Sequence, residues 1–304
     1  MGRNELSQGI EMNSRNIVAG CLSMIGGMFF FGITNAVAKG TGNELPLTEI
    51  IFFRSLVATL CMLFYAKTQK THDFLKTHNL KTQIFRGTLG FLQLYFLYMS
   101  FAILPMADAT ALSFATILFV TALSGLFLGE KAKGARWVIT LVGFVGVLAI
   151  SKPTGAINLT GTMAAIVSAL LEALVMLYAS RLGKRDKAFT TVFYYTLVTC
   201  FLGALTLPFV WITPTIGQVF LITLLGIAGT SGHILIARAY QLAPATVVAP
   251  MFYSLLLWGI LFGYLFWKEV PSLHVLLGAC LIIFCGLFIV YQEKTQKPSP
   301  EQEA

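Results

Sequence analysis

Long apolar runs separated by short polar segments fill the chain from Ile17 to Tyr291. A helix needs about 20 apolar residues to cross the hydrocarbon core of a bilayer. On that measure the pattern predicts ten spans, at 17–38, 47–66, 84–104, 107–128, 136–151, 158–180, 188–211, 215–237, 244–267 and 272–291. The fifth is short. Backbone groups in lipid must be satisfied within the segment, so each span is expected as a helix. The polar ends, 1–16 and 292–304, read as loose tails. The first span is too long for the core of a secretory leader. Acids precede it (Glu5, Glu11) and no small-residue cleavage site follows, so it is expected to remain.

The pattern also repeats. SFAILPMADATALSFATILFVTALSGLFLGEK is echoed by AYQLAPATVVAPMFYSLLLWGILFGYLFWKE. At a fixed offset of 139, Pro105 meets Pro244, Leu118 meets Leu257, Leu126 meets Leu265, Phe127 meets Phe266 and Glu130 meets Glu269. Each half then holds five spans, 17–152 and 153–291, and an odd number turns the second half upside down in the membrane. Inverted repeats of this kind mark transporters that alternate access about a site near the bilayer midplane.

Composition agrees with a membrane protein. Of 304 residues, 57% are apolar and only 11% charged, with mean hydropathy +0.79. A soluble domain carries about a quarter charged residues. The net charge of +8 does not point to nucleic acid, because the basic residues sit in short loops. Lys67, Lys70, Lys76, Lys81, Arg86, Lys131, Lys133, Arg136, Arg181, Lys184, Arg185 and Lys187, with Arg3, Arg15, Arg238, Lys294 and Lys297, fall on one side. Lys39, Lys152 and Lys268 fall on the other, and Arg54 lies within a span. That asymmetry places both termini in the cytoplasm. Trp137, Trp211 and Trp267 stand at span ends, where an interfacial belt would put them. The five cysteines lie in apolar runs without metal-ligand spacing and read as small core residues.

From Pro105 to Glu130 with its "LFLGEK" ending, through the echo at Pro244–Glu269, the chain resembles the drug/metabolite transporter superfamily in its EamA branch. "FFR" at Phe52–Arg54, "FRG" at Phe85–Gly87 and "GFVGVLAISKP" at Gly143–Pro153 also fit, and the likeness covers about 17–291. The resemblance implies an all-α integral membrane fold, ten transmembrane helices in two inverted five-helix repeats around a central cavity, and transport of small organic metabolites. Its motifs specify fold better than substrate. "FFR…FRG…ARW…GFVG" is most like S-adenosylmethionine uptake carriers and some riboflavin importers; amino-acid exporters are less similar. The first repeat departs from the family pattern by lacking a proline at Ala111 to Ile117, whereas the second keeps Pro250.

Within LLEALVMLYASR, Glu172 is the one acid among apolar residues. Charge inside a span is rare, and it faces the bundle interior or a water-filled cavity. By helical spacing Glu172 shares a face with Thr162, Ala165, Ala169, Met176 and Ala179, small residues that leave room beside it, while leucines cover the other side. It could bind a cationic group, carry a coupling proton, or do both; the plainer alternative is a protonated acid bonded to a neighbouring helix.

Other polar positions offer weaker candidates. Arg54 and Asp108 could form an outer gate or a structural pair, whereas Glu49 lies off the Arg54 face. Gln93 (with Arg86, Gly90 and Ser100), His233 (with Gly226, Gly229, Thr230 and Ala237) and Asn35 could line a cavity or bond a neighbour. His233 could shuttle protons or pack. Tyr253, beside Thr246 and Pro250, could stack on a ring or cation, or serve the core. Gly125-x-x-x-Gly129 and Gly259-x-x-x-Gly263 read as close-packing faces.

Metalloprotease, P-loop, nucleophile-elbow and C-x-x-C motifs are absent, so neither a metal nor another cofactor is implied. The sequence therefore reads as a secondary transporter in a bacterial-type inner membrane. Its partners are a small polar metabolite, membrane lipid, and a coupling proton or counter-substrate. Rival readings are an exporter of amino acids or toxic solutes, a riboflavin-type importer, an intramembrane enzyme, and a membrane assembly subunit.

Overall fold

The computed structural model describes residues 3–42, 44–68, 76–128, 138, 142, 145–146, 158–182, 186, 188–242 and 249–295. Among these residues the regular structure is all helical. The order is α1 (Arg3–Thr41), α2 (Leu47–Thr68), α3 (Leu80–Ile103), α4 (Met106–Ser113), α5 (Ala115–Leu128), α6 (Leu159–Leu182), α7 (Ala188–Val210), α8 (Ile216–Leu242), a 3₁₀ turn (Ala249–Tyr253), α9 (Ser254–Trp267) and α10 (Leu273–Thr295). Five helical stretches are long and apolar enough to cross a membrane: Ile17–Thr41, Leu47–Phe64, Leu159–Ala179, Phe189–Val210 and Ile216–Ile236. The protein is an integral membrane protein. Most of the expected fifth span, 136–151, lies outside the described residues, as does Glu130.

Three elements differ from the sequence expectation. First, α1 runs back to Arg3, so the segment 3–16 continues the first helix; no proline interrupts it. Second, α3 begins at Leu80 rather than 84. The Asn79 side chain caps it, accepting from the Thr82 amide at 3.1 Å. This sets Arg86 deeper in the helix, where it is buried. Third, the fourth span is broken although it has no proline. Its chain leaves α4 at Phe114, whose N–H reaches the carbonyls of Ala111 and Leu112, and resumes as α5. In the second repeat the break is the 3₁₀ turn containing Pro250, and α9 starts after Tyr253. Phe114 and Tyr253 stand 139 residues apart and share one backbone conformation, φ −66, ψ −14 against φ −66, ψ −12.

Packing follows the same correspondence. Helix α1 packs on α8 as α3 packs on α6; α3 meets α7 as α8 meets α2; α5 meets α6 as α9 meets α1. Helix α2 packs on its counterpart α7. Exchanging the two halves leaves this pattern unchanged, as expected of two like repeats. Ser55 and Thr199 join α2 to α7 by a hydrogen bond of 2.9 Å.

Small residues set the close approaches. The Gly259–Gly263 face of α9 lies on α4. A Cβ on Gly259 would stand 2.8 Å from Thr110 Oγ1, and one on Gly263 would stand 3.2 Å from Glu269 Oε2. The larger apolar core gathers Met24, Met28, Phe101, Met106, Phe114 and Phe262. A second holds Ile50, Ile51, Leu94, Tyr98, Val175 and Leu225.

Candidate functional site

Glu172 stands fourteenth of the 24 residues of α6, near its middle. Arg86 of α3 and Arg54 of α2 are the two cations within its electrostatic reach. Arg86 is fastened in place. Its Nε donates to the Val175 carbonyl at 3.2 Å and its Nη1 to the Thr191 carbonyl at 2.9 Å, tying α3 to α6 and α7. Its guanidinium lies 5.0 Å over the Tyr195 ring. Gly90, one turn along α3, makes this possible: a Cβ there would come within 2.1 Å of Tyr195 Cε2. The ring thus rests on bare backbone beneath Arg86.

Arg54 is held differently. The Tyr195 hydroxyl lies within hydrogen-bonding reach, and Gly229 of α8 stands against the guanidinium. Its Nε is buried with no hydrogen-bond partner. The Tyr98 hydroxyl is likewise buried without a partner, and it lies within electrostatic reach of Arg54. His233 lies within reach of both Arg54 and Arg86 and meets Phe31 edge to face, centroids 5.0 Å apart. Five helices, α2, α3, α6, α7 and α8, therefore bring charged and polar groups to one interior region. Along α3, Arg86 and Tyr98 are twelve residues or roughly 18 Å apart, so the group is elongated along the bundle.

The expected Arg54–Asp108 pair does not form. Arg54 belongs to the interior group, while Asp108, in the first turn of α4, lies near Glu269, His274 and Lys39. Depth along a span fixes height, not which side of a helix meets which neighbour. The ion pair at that end joins other residues. Lys39 Nζ is 2.8 Å from Glu269 Oε1 and donates to the Leu104 carbonyl at 2.6 Å. Glu269 Oε2 accepts from the Met106 amide at 2.8 Å, and Lys39 also lies 5.4 Å over the Trp267 ring. One contact set thus fastens α1, the α3–α4 turn and the end of α9. Lys268 makes the geometry: in the left-handed conformation (φ 57) it turns the chain so that the Glu269 amide returns to the Gly263 carbonyl at 3.1 Å.

A loop cluster lies between α6 and α7. Asp186 accepts from Thr77 Oγ1 at 2.5 Å, the His78 amide at 2.9 Å and Gln83 Nε2 at 2.9 Å, with His78 Nδ1 at 2.9 Å. Burial opposes the charged carboxylate, but these hydrogen bonds outweigh it and pull the Asp186 carboxyl down to about 2.

The remaining candidates scatter. Asn35 is buried on α1 and Gln93 on α3. Tyr253 packs edge to face on Phe114, in the larger apolar core. Glu49 is fully buried and accepts from the Ile212 amide at 3.1 Å. Among the described residues no group of His, Cys, Asp and Glu is placed to hold a metal, and all five cysteines are free. Arg86, Tyr98, Tyr195, Lys39 and Glu269 were not expected as site residues. Arg86 reads in the sequence as one more loop charge, and nothing in spacing separates Tyr98 or Tyr195 from other aromatics.

Comparison with known proteins adds to this geometry. Residues 18–152 and 159–292 match the EamA-like transporter family. The pseudopaline exporter of Pseudomonas aeruginosa is 29% identical over 270 residues, covering 87% of this chain and 93% of that protein. The S-adenosylmethionine uptake transporter of Rickettsia bellii is 29% identical over 264 residues, covering 86% and 89%. The riboflavin transporter of Vibrio cholerae is 30% identical over 289 residues, covering 93% and 96%. A solved crystal structure shares the fold at TM-score 0.64 and 14% identity, covering 92% of this chain and 99% of that one.

Proposed function

Because the chain belongs to the EamA-like transporter family, we propose that it is a secondary active transporter carrying a small polar organic metabolite across a bacterial-type inner membrane. It works by alternating access between two inverted five-helix repeats, 17–152 and 153–291, with both termini cytoplasmic. The observation that carries this reading is Glu172 within electrostatic reach of both Arg54 and Arg86, with five helices converging on them. A carboxylate in a span is costly to keep, and its use is to meet a cation that passes. Here that cation is a charged group of the cargo, a coupling proton, or both. Mirrored breaks at Phe114 and Tyr253 support the mechanism, since discontinuous helices at the repeat interface let one half rock on the other.

Among the cargoes named for relatives, S-adenosylmethionine suits this site best. It brings a sulfonium and an ammonium for Glu172 and a carboxylate for the guanidinia, whereas riboflavin offers neither charge. Similarity to the pseudopaline exporter favours a second reading, outward transport through the same site. In both readings the Lys39–Glu269 contact closes the outer side.

The test is counterflow in proteoliposomes loaded with unlabelled S-adenosylmethionine and given labelled compound outside, with riboflavin run in parallel. Uptake by wild type and its loss in Glu172→Gln are expected. Normal transport by Glu172→Gln at every pH would remove Glu172 from the mechanism. An altered product instead of an unchanged solute would make the protein an enzyme.

A further inference from the structure

Charge in the interior group does not balance. Two guanidinia face one carboxylate, and among the described residues no other carboxylate lies within reach of Arg54 or Arg86. An unmatched cation away from water is costly, so the excess calls for an anion. The donors show where it would sit. Arg86 spends its Nε and Nη1 on carbonyls. Arg54 keeps a buried Nε with no partner, and the Tyr98 hydroxyl, on a side chain with 0% exposure, has none either. Buried donors are nearly always used, so two idle ones within electrostatic reach of each other call for a shared acceptor.

We propose that Arg54 and Tyr98 form an anion subsite that takes a carboxylate of the cargo, with Glu172 meeting the cargo's cationic group. This rests on the transport reading above and names what that site recognises. A guanidinium presents its N–H donors in a planar fork that fits a carboxylate, and the phenol adds one further donor. The competing account makes Arg54 a fastener between α2 and α8 and leaves the Tyr98 hydroxyl without work. The two accounts diverge at Tyr98→Phe, which removes an unused hydroxyl and keeps the packing.

The experiment uses the purified full-length chain in detergent, as wild type, Tyr98→Phe and Arg54→Lys. Melting is followed with S-adenosylmethionine and L-methionine, each beside its decarboxylated counterpart, decarboxylated S-adenosylmethionine and 3-(methylthio)propylamine. A ligand of the folded state raises the melting temperature. The subsite predicts that a carboxylate probe binds and that its decarboxylated partner binds more weakly. Tyr98→Phe should melt like wild type without ligand and weaken the carboxylate probe about tenfold. It should leave the decarboxylated partner unchanged. Equal binding of both partners, or a carboxylate probe indifferent to Tyr98→Phe and Arg54→Lys, overturns the subsite. If no probe binds, counterflow of a whole metabolite extract decides. A carboxylate-free cargo overturns the subsite and leaves transport standing. A carboxylate-bearing cargo goes through the same comparison of variants. Exchange of no solute at all defeats the transport reading itself.

Discussion

The rings of Phe114 and Tyr253 meet edge to face, with centroids 5.2 Å apart and planes at 84°. They are equivalent positions of the two repeats, and each ends a short helical segment in the same backbone conformation. A residue that touches its own counterpart must lie at the axis relating the halves. The two helix breaks therefore face each other across that axis.

A double-mutant cycle tests the contact. Phe114→Ala and Tyr253→Ala should each destabilise, and the double variant should fall short of their sum by about 0.5–1.5 kcal/mol, the worth of an aromatic pair beyond area burial. Tyr253→Phe keeps the ring and should leave both melting temperature and transport near wild type. Strict additivity would mean that the rings are merely neighbours.

The Lys39–Glu269 pair is open to a different test. Lys39→Met removes an ion pair that is partly exposed at Glu269, worth about 1 kcal/mol, which shifts an open–closed equilibrium about fivefold. Met106, now fully buried beside Glu269, should become reachable. With Met106→Cys placed in a background lacking the five native cysteines, labelling by an impermeant maleimide from outside should rise several-fold in Lys39→Met. Lys39→Arg, which keeps a cationic donor for Glu269 and the Leu104 carbonyl, should keep it low. Labelling from the cytoplasmic side alone would reverse the proposed orientation.

Gly90 gives a steric prediction. Its Cβ would stand 2.1 Å from the Tyr195 ring, a separation no side chain tolerates. Gly90→Ala must push the ring from beneath Arg86 and should cost about 1–3 kcal/mol, as overpacking does. Gly90→Ala combined with Tyr195→Leu should recover much of the melting temperature but not transport, since the hydroxyl near Arg54 is gone. Recovery of both would assign Tyr195 to packing alone.

What the sequence discloses, and what it hides, follows from how each signal arises. Apolar length and the 139-residue echo are long-range patterns, so the all-helical membrane fold and the family are legible without coordinates. Glu172 is legible because a lone acid in an apolar run is improbable. Arg86 is not, because a span drawn from 84 puts it at the very end, where it counts with the loop charges that report orientation, whereas α3 starts at Leu80 and holds it well inside. The break at Phe114 is silent because no proline marks it. Lys39 and Glu269 look like ordinary span-end charges, and only tertiary structure brings residues 230 positions apart within 2.8 Å. The Arg54–Asp108 expectation fails for that reason: a sequence gives depth along a span but not the neighbour across it.

Asp186 predicts how the loop end answers acid. It lies between α6 and α7, outside the membrane-spanning segments, and its carboxyl is held down from the ordinary 3.8 to about 2 by Thr77, His78 and Gln83. The unfolded chain therefore binds a proton more readily than the folded one. The stabilisation is fully present above about pH 4 and is lost as pH falls towards 2. Asp186→Asn should melt lower than wild type at neutral pH, because one of three hydrogen-bond donors loses its acceptor. Below about pH 4 the gap between the two should shrink, and near pH 2 it should be smallest. Measuring both melting curves from pH 6 to pH 2.5 in detergent isolates Asp186, since every other carboxylate is common to the pair. A gap that stays constant across this range would mean that the cluster holds the loops by shape and not by charge.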